Sequence, residues 1–86
     1  MRQDLNNTTI TMPTQIGDWR KFTERSNVIG YHNRDYVLDV LMINPNSYVV
    51  KLNKGGRGIK NLTVTPNQTS ALTTAKVYMG NYPQGE

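Results

Sequence analysis

The sequence predicts an α+β fold in the order β-β-β-α: an antiparallel meander of three strands, or four if the N-terminal segment adds an edge, packed on one C-terminal helix. Three observations carry this reading. Apolar and β-branched residues alternate through 35–43, 48–53 and 59–64. Turn-forming residues separate those runs. The stretch from Thr65 to Pro83 holds start, face and stop signals for one helix in a single frame.

From the N-terminus, Met1 to Gly17 mixes amides, threonines and isolated apolar residues, and Thr8 to Met12 is its one plausible extended piece. Residues 1–17 are therefore expected to be a flexible tail or an edge strand, ahead of a single domain over 18–83 and a short tail over 84–86. Trp19, Phe22, Val28, Ile29 and Tyr31 fit neither a helical nor a strand period. A loop or helical turn is expected over Asp18 to Glu24, then a short strand over Asn27 to His32, where Gly30 disfavours helix.

Asn33-Arg34 reads as a turn. Asp35 to Ile43 then puts Tyr36, Leu38, Val40 and Met42 on one face and Val37, Asp39, Leu41 and Ile43 on the other, so both faces are largely apolar. Asn44-Pro45-Asn46-Ser47 supplies turn chemistry. Tyr48, Val50 and Leu52 follow as inward residues, with Val49, Lys51 and Asn53 outward. The glycine-rich turn Lys54 to Gly58 leads into a strand over Ile59 to Val64, whose Leu62 and Val64 are expected to face the core. In the helix, Thr65 is the expected N-cap, Pro66 the first residue, Gln68 the capping-box partner and Gly80 the closing residue. Ala71, Leu72, Ala75, Tyr78 and Met79 form its buried face.

Composition narrows the function. A chain of 86 residues is one small domain, and at this size it buries roughly 60–65% of the surface exposed when unfolded. There is no cysteine, which excludes a disulfide framework, thiolate zinc sites and thiol redox chemistry. Asn and Thr occur ten times each while Glu stands only at 24 and 86, so the net charge of +4 reflects scarce carboxylates as much as abundant bases. No apolar run approaches the ~18–20 residues of a membrane span, and no secretory signal is evident, so a cytoplasmic location without membrane partners is expected.

Catalytic groups are few. His32 is the one imidazole; with Arg34 and Asp35 it sits at a turn, where polar residues collect for conformational reasons. No ligand spacing suits a metal, and Lys54-Gly55-Gly56-Arg57-Gly58 lacks the spacing and following helix of a nucleotide cradle, so no enzyme activity, metal or cofactor is expected. Asp39 and Lys51 read as a cross-strand pair.

The bases are the main functional signal. Lys51, Lys54, Arg57 and Lys60 cluster on two strands and their turn, and with Arg34 they are the candidate contacts of a non-enzymatic module binding DNA or RNA. Arg20, Lys21 and Arg25 add positive charge upstream. The competing expectation is a protein-interaction or homodimerising module that uses the apolar sheet face carrying Val37, Leu41, Ile43 and Val49. Whether Trp19 and Phe22 cover that face decides how much of it is free.

Over residues 28–79 the three-stranded sheet backed by a C-terminal helix resembles, in architecture, the plant ethylene-response-type DNA-binding domain and the N-terminal arm-binding domains of tyrosine integrases. The resemblance implies DNA contact through the exposed sheet face. Those families typically set arginines and tryptophans there, whereas this chain sets Val37, Leu41, Ile43 and Val49 beside a few bases.

Overall fold

The computed structural model describes residues 12–85. They form a six-stranded antiparallel meander with one helix on one face, so the expectation of three or four strands is an undercount. In chain order the strands are β1 (Gln15–Ile16), β2 (Trp19–Arg25), β3 (Val28–Asn33), β4 (Tyr36–Asn44), β5 (Ser47–Lys54) and β6 (Arg57–Thr65), followed by helix α1 (Gln68–Asn81). Each strand pairs with its neighbour in sequence. Every connection within the sheet is two residues long, at Gly17-Asp18, Ser26-Asn27, Arg34-Asp35, Pro45-Asn46 and Gly55-Gly56. Such tight loops favour positive φ. Gly55 (61°) and Gly56 (81°) supply it together, and Arg34 adopts it at 56° without glycine's freedom.

The additional strands lie where the alternation is broken. Trp19–Arg25, expected as loop or turn, is a strand in which Phe22 is a bulge between the pairs Lys21–Tyr31 and Thr23–Gly30. An inserted residue shifts the inside-outside parity, which erases the period that sequence reading depends on. The same device acts in β6, where Ile59 and Leu62 bulge against β5. As a result Val64 pairs with Val49 on the face away from the helix and is 66% exposed, which corrects its expected core position. Leu62 is half-buried against the core as expected.

Cross-strand rows build the core. Ile29, Val40 and Val50 line up through β3–β5, and Tyr31, Leu38 and Leu52 form the next row. All six are buried beneath Ala71, Leu72, Ala75 and Met79 of the helix. Small alanines let the helix backbone approach the sheet closely. The helix starts two residues later than expected: Asn67, not Thr65, is the cap, and its Oδ1 accepts from Ser70 N at 3.1 Å. Thr65 closes β6 opposite Tyr48, and its hydroxyl accepts from Asn67 N instead. Gly80 stays helical, and the end is capped by Tyr82 N donating to Tyr78 O.

Trp19 belongs to the helix-covered face. It is fully buried, its ring meets Tyr36 and Tyr78, and its Nε1 donates to Tyr82 O at 2.8 Å. Residues 82–85 thereby fold back over the end of the sheet. Pro83 O accepts from Asn33 Nδ2 (2.9 Å) and Asp18 N (3.3 Å), and Gly85, at φ 112°, leaves no room for a Cβ against the Tyr36 ring. At the other terminus, Met12 is buried and Pro13 O accepts from Tyr31 OH. The rest of the extended piece expected at Thr8 to Met12 lies outside the described residues. Among the described residues no helix is long and apolar enough to cross a membrane.

Candidate functional site

Three of the five candidate contacts meet at one end of the sheet. Arg34 heads the β3–β4 turn, while Lys54 and Arg57 flank the β5–β6 turn as a cross-strand pair. The two tips are tied by a hydrogen bond from Gly55 N to Asp35 O at 2.9 Å. Arg34, Lys54 and Arg57 are all exposed, and Asp35 is the carboxylate that shares the turn with Arg34.

Parity then decides which face each base serves. Lys54 pairs with Tyr36 and Lys60 with Leu52, both residues of the helix-covered side. Lys54 Nζ lies 5.0 Å from the centroid of the Tyr36 ring and Lys60 Nζ 5.8 Å from that of Tyr78, distances at which a cation is drawn to an aromatic face. Tyr78 stacks in turn on Tyr82, with centroids 4.6 Å apart and planes 34° apart. The outcome is an edge on which Arg34, Lys54, Arg57 and Lys60 run beside Tyr36, Tyr78 and Tyr82.

Lys51 is not part of that edge. It points from the opposite face, directly across from Asp39 as the sequence suggests. Burial raises the Asp39 carboxyl above its ordinary range, and the Lys51 charge pulls it partly back. Asn53 Nδ2 donates to Asp39 Oδ2 at 3.3 Å. The candidate contacts therefore divide between two surfaces, with four on the hairpin edge and one on the open face.

The open face has a plain layout. Val28, Leu41, Val49 and Val64 form one apolar row across β3–β6, and Arg25 precedes it on β2. The next row is Thr23, Gly30, Asp39, Lys51 and Asn61, and a third holds Arg20, His32, Val37 and Asn53. Phe22 lies over Gly30, packs edge-on against His32 with centroids 5.5 Å apart, and remains 55% exposed. With Trp19 in the core, neither aromatic seals this face.

His32 is thus an exposed neighbour of Phe22, and the Arg34-Asp35 turn lies beyond the end of its strand. No group of three or more potential metal ligands gathers among the described residues. Tyr31 is also perturbed, its phenol pushed up to about 12 by burial and then by the Glu24 charge. Its hydroxyl is engaged with Pro13 O, so this is a packing consequence and not an acid-base device.

No family model, curated protein or solved structure matches the chain. The residues at this edge that sequence reading did not single out as candidate contacts are Tyr36, Tyr78 and Tyr82. The signal was present: Tyr78 and Tyr82 are four apart at the helix end, and a two-residue loop at Gly55-Gly56 fixes Lys54 and Arg57 on one side.

Proposed function

We propose that the protein is a non-enzymatic binding module whose ligand is a nucleic acid, held at the hairpin edge by Arg34, Lys54, Arg57 and Lys60. The observation that carries this reading is the pairing of two of those exposed cations, Lys54 with the Tyr36 ring and Lys60 with the Tyr78 ring, along the edge that Arg34 and Arg57 share. Cations supply phosphate contacts and rings supply base contacts. The backbone of Arg34 adds support. The tight turn imposes this left-handed backbone, which costs a non-glycine residue about 1–2 kcal/mol that glycine would avoid, and strain of this kind clusters at functional sites.

Counterion release gives the test its scale. Four phosphate contacts at about 0.7 each give a slope near −3 in log affinity against log salt for a single strand, so raising salt from about 50 to about 200 mM weakens binding roughly fifty-fold. Fluorescence anisotropy with labelled DNA and RNA measures this directly. The double variant Lys54→Ala/Arg57→Ala is expected to lower the slope by about 1.4, whereas Lys51→Ala, on the other face, leaves it unchanged. Equal effects of the two variants, or salt-independent binding, contradict the assignment.

The open face supports a second reading, self-association. Phe22 and Val64 are each more than half exposed there, beside an apolar row that crosses four strands. The outer strand β6 carries bulges, and so does β2, which the two-residue β1 covers only in part; such bulges hinder edge-to-edge pairing and favour contact face to face.

A further inference from the structure

We infer that the preferred ligand is single-stranded and that one unpaired base lodges in the groove between α1 and β6, stacked on Tyr82. This rests on the nucleic-acid reading above and specifies its substrate class. The groove has a volume of about 360 Å³ and is lined by Leu62, Thr73, Val77, Tyr78, Asn81 and Tyr82. That lies within the range of ordinary small-ligand clefts, about 300–1,000 Å³.

Tyr82 is suited to the task because its backbone is fixed while its ring is not covered. Its carbonyl accepts from Trp19 Nε1 at 2.8 Å and from Gly85 N at 3.0 Å, and its N–H donates to Tyr78 O at 2.9 Å. The side of its ring that stacks on Tyr78 is occupied, and the residue is still 43% exposed. A platform held in this way loses little freedom when a base lands on it. Val77, 54% exposed, provides the apolar wall, and Asn81 and Thr73 bring polar groups for a base edge.

Charge identifies the occupant of this apolar groove. Lys60 sits over Tyr78, one of the groove's walls, and continues into the line of Arg57, Lys54 and Arg34. A strand whose phosphates follow those cations delivers a base to the groove. In a duplex the bases are already stacked on one another, so the ring offers little and only the phosphate contacts remain. Stacking on an aromatic side chain tolerates any base, so the site is expected to discriminate strandedness more than sequence.

The test compares a labelled oligothymidine of about 12 nucleotides, within the usual span of single-strand sites, with a duplex of the same length. The single strand is expected to bind at least about tenfold tighter; Tyr82→Ala removes most of that advantage and Tyr82→Phe keeps it. Thermal unfolding of each variant, followed by Trp19 fluorescence, establishes that Tyr82→Ala remains folded. If it does not, the contrast between Val77→Asp and Lys76→Glu, inside and outside the groove lining, carries the same test. Duplex binding equal to or tighter than single-strand binding, with no effect of the Tyr82 and Val77 variants, overturns this inference and leaves the nucleic-acid reading standing. Absence of salt-sensitive binding to either form overturns both.

Discussion

The two sides of this sheet are built from the same alternating strands, yet they differ in what completes them. On one side, a helix and the folded-back residues 82–85 seal Trp19, Tyr31, Leu38 and Leu52; Lys54 and Lys60 stand at the rim of that core over tyrosine rings, and Lys21 reaches Met12 O and Glu24 beside Tyr31. On the other, apolar and charged rows lie next to each other, and among the described residues no strand or helix packs over them. The contrast teaches that cation position in a sheet is a question of parity: Lys51 and Lys54 are three residues apart and serve opposite faces. A cluster of bases in sequence is therefore divided by the strand that carries it.

The largest effect expected from this contrast is on stability. Trp19→Ala removes a fully buried ring and its bond to Tyr82 O, at a cost of about 3–5 kcal/mol, a large part of the total stability of a domain this small. Phe22→Ser with Val64→Ser, two exposed apolar residues of the open face, is expected to stay within about 1 kcal/mol in urea unfolding. That double variant is also expected to abolish any self-association seen by sedimentation equilibrium. Similar destabilisation by the two changes would erase the distinction between the sides.

Smaller, and opposite in sign, is the effect of Arg34→Gly. Glycine relieves the left-handed backbone at φ 56°, so stability is expected to rise by about 1 kcal/mol while oligonucleotide affinity falls. A variant that gains stability and keeps its affinity would show that Arg34 is a turn residue alone.

The smallest expected effect concerns Asp39. Its folded-state pKa is raised above the ordinary 3.8, chiefly by burial, so its contribution to stability is present at low pH and lost as pH rises through the folded value. At neutral pH the ionised carboxylate opposes folding. Asp39→Asn is expected to raise the urea midpoint at pH 7, and the gain is expected to vanish at a pH below 3.8. A lower midpoint at pH 7 would mean that the Lys51 charge outweighs burial.

The sequence made the central hairpin and the helix legible because their periods are unbroken from Tyr36 to Met42, from Tyr48 to Leu52 and from Ala71 to Met79. It hid β2 and the orientation of Val64 because single inserted residues at Phe22, Ile59 and Leu62 invert parity, and a pattern search reads that as noise. The helix start slipped by two residues because Thr65 and Asn67 are both competent caps. Strand pairing with Tyr48 takes Thr65, which leaves Asn67 to serve α1. The candidate site was half visible: its bases could be named, but the tyrosines that distinguish the edge become neighbours only through strand register and the return of residues 82–85.

The most direct test is a residue-resolved NMR titration of the protein with oligothymidine. Shifts concentrated at Arg34, Lys54, Arg57, Lys60 and Tyr82, with Val28, Leu41, Val49 and Lys51 unmoved, are the predicted result. Shifts centred on Val28, Leu41, Val49 and Lys51 would contradict it and assign the ligand to the open face.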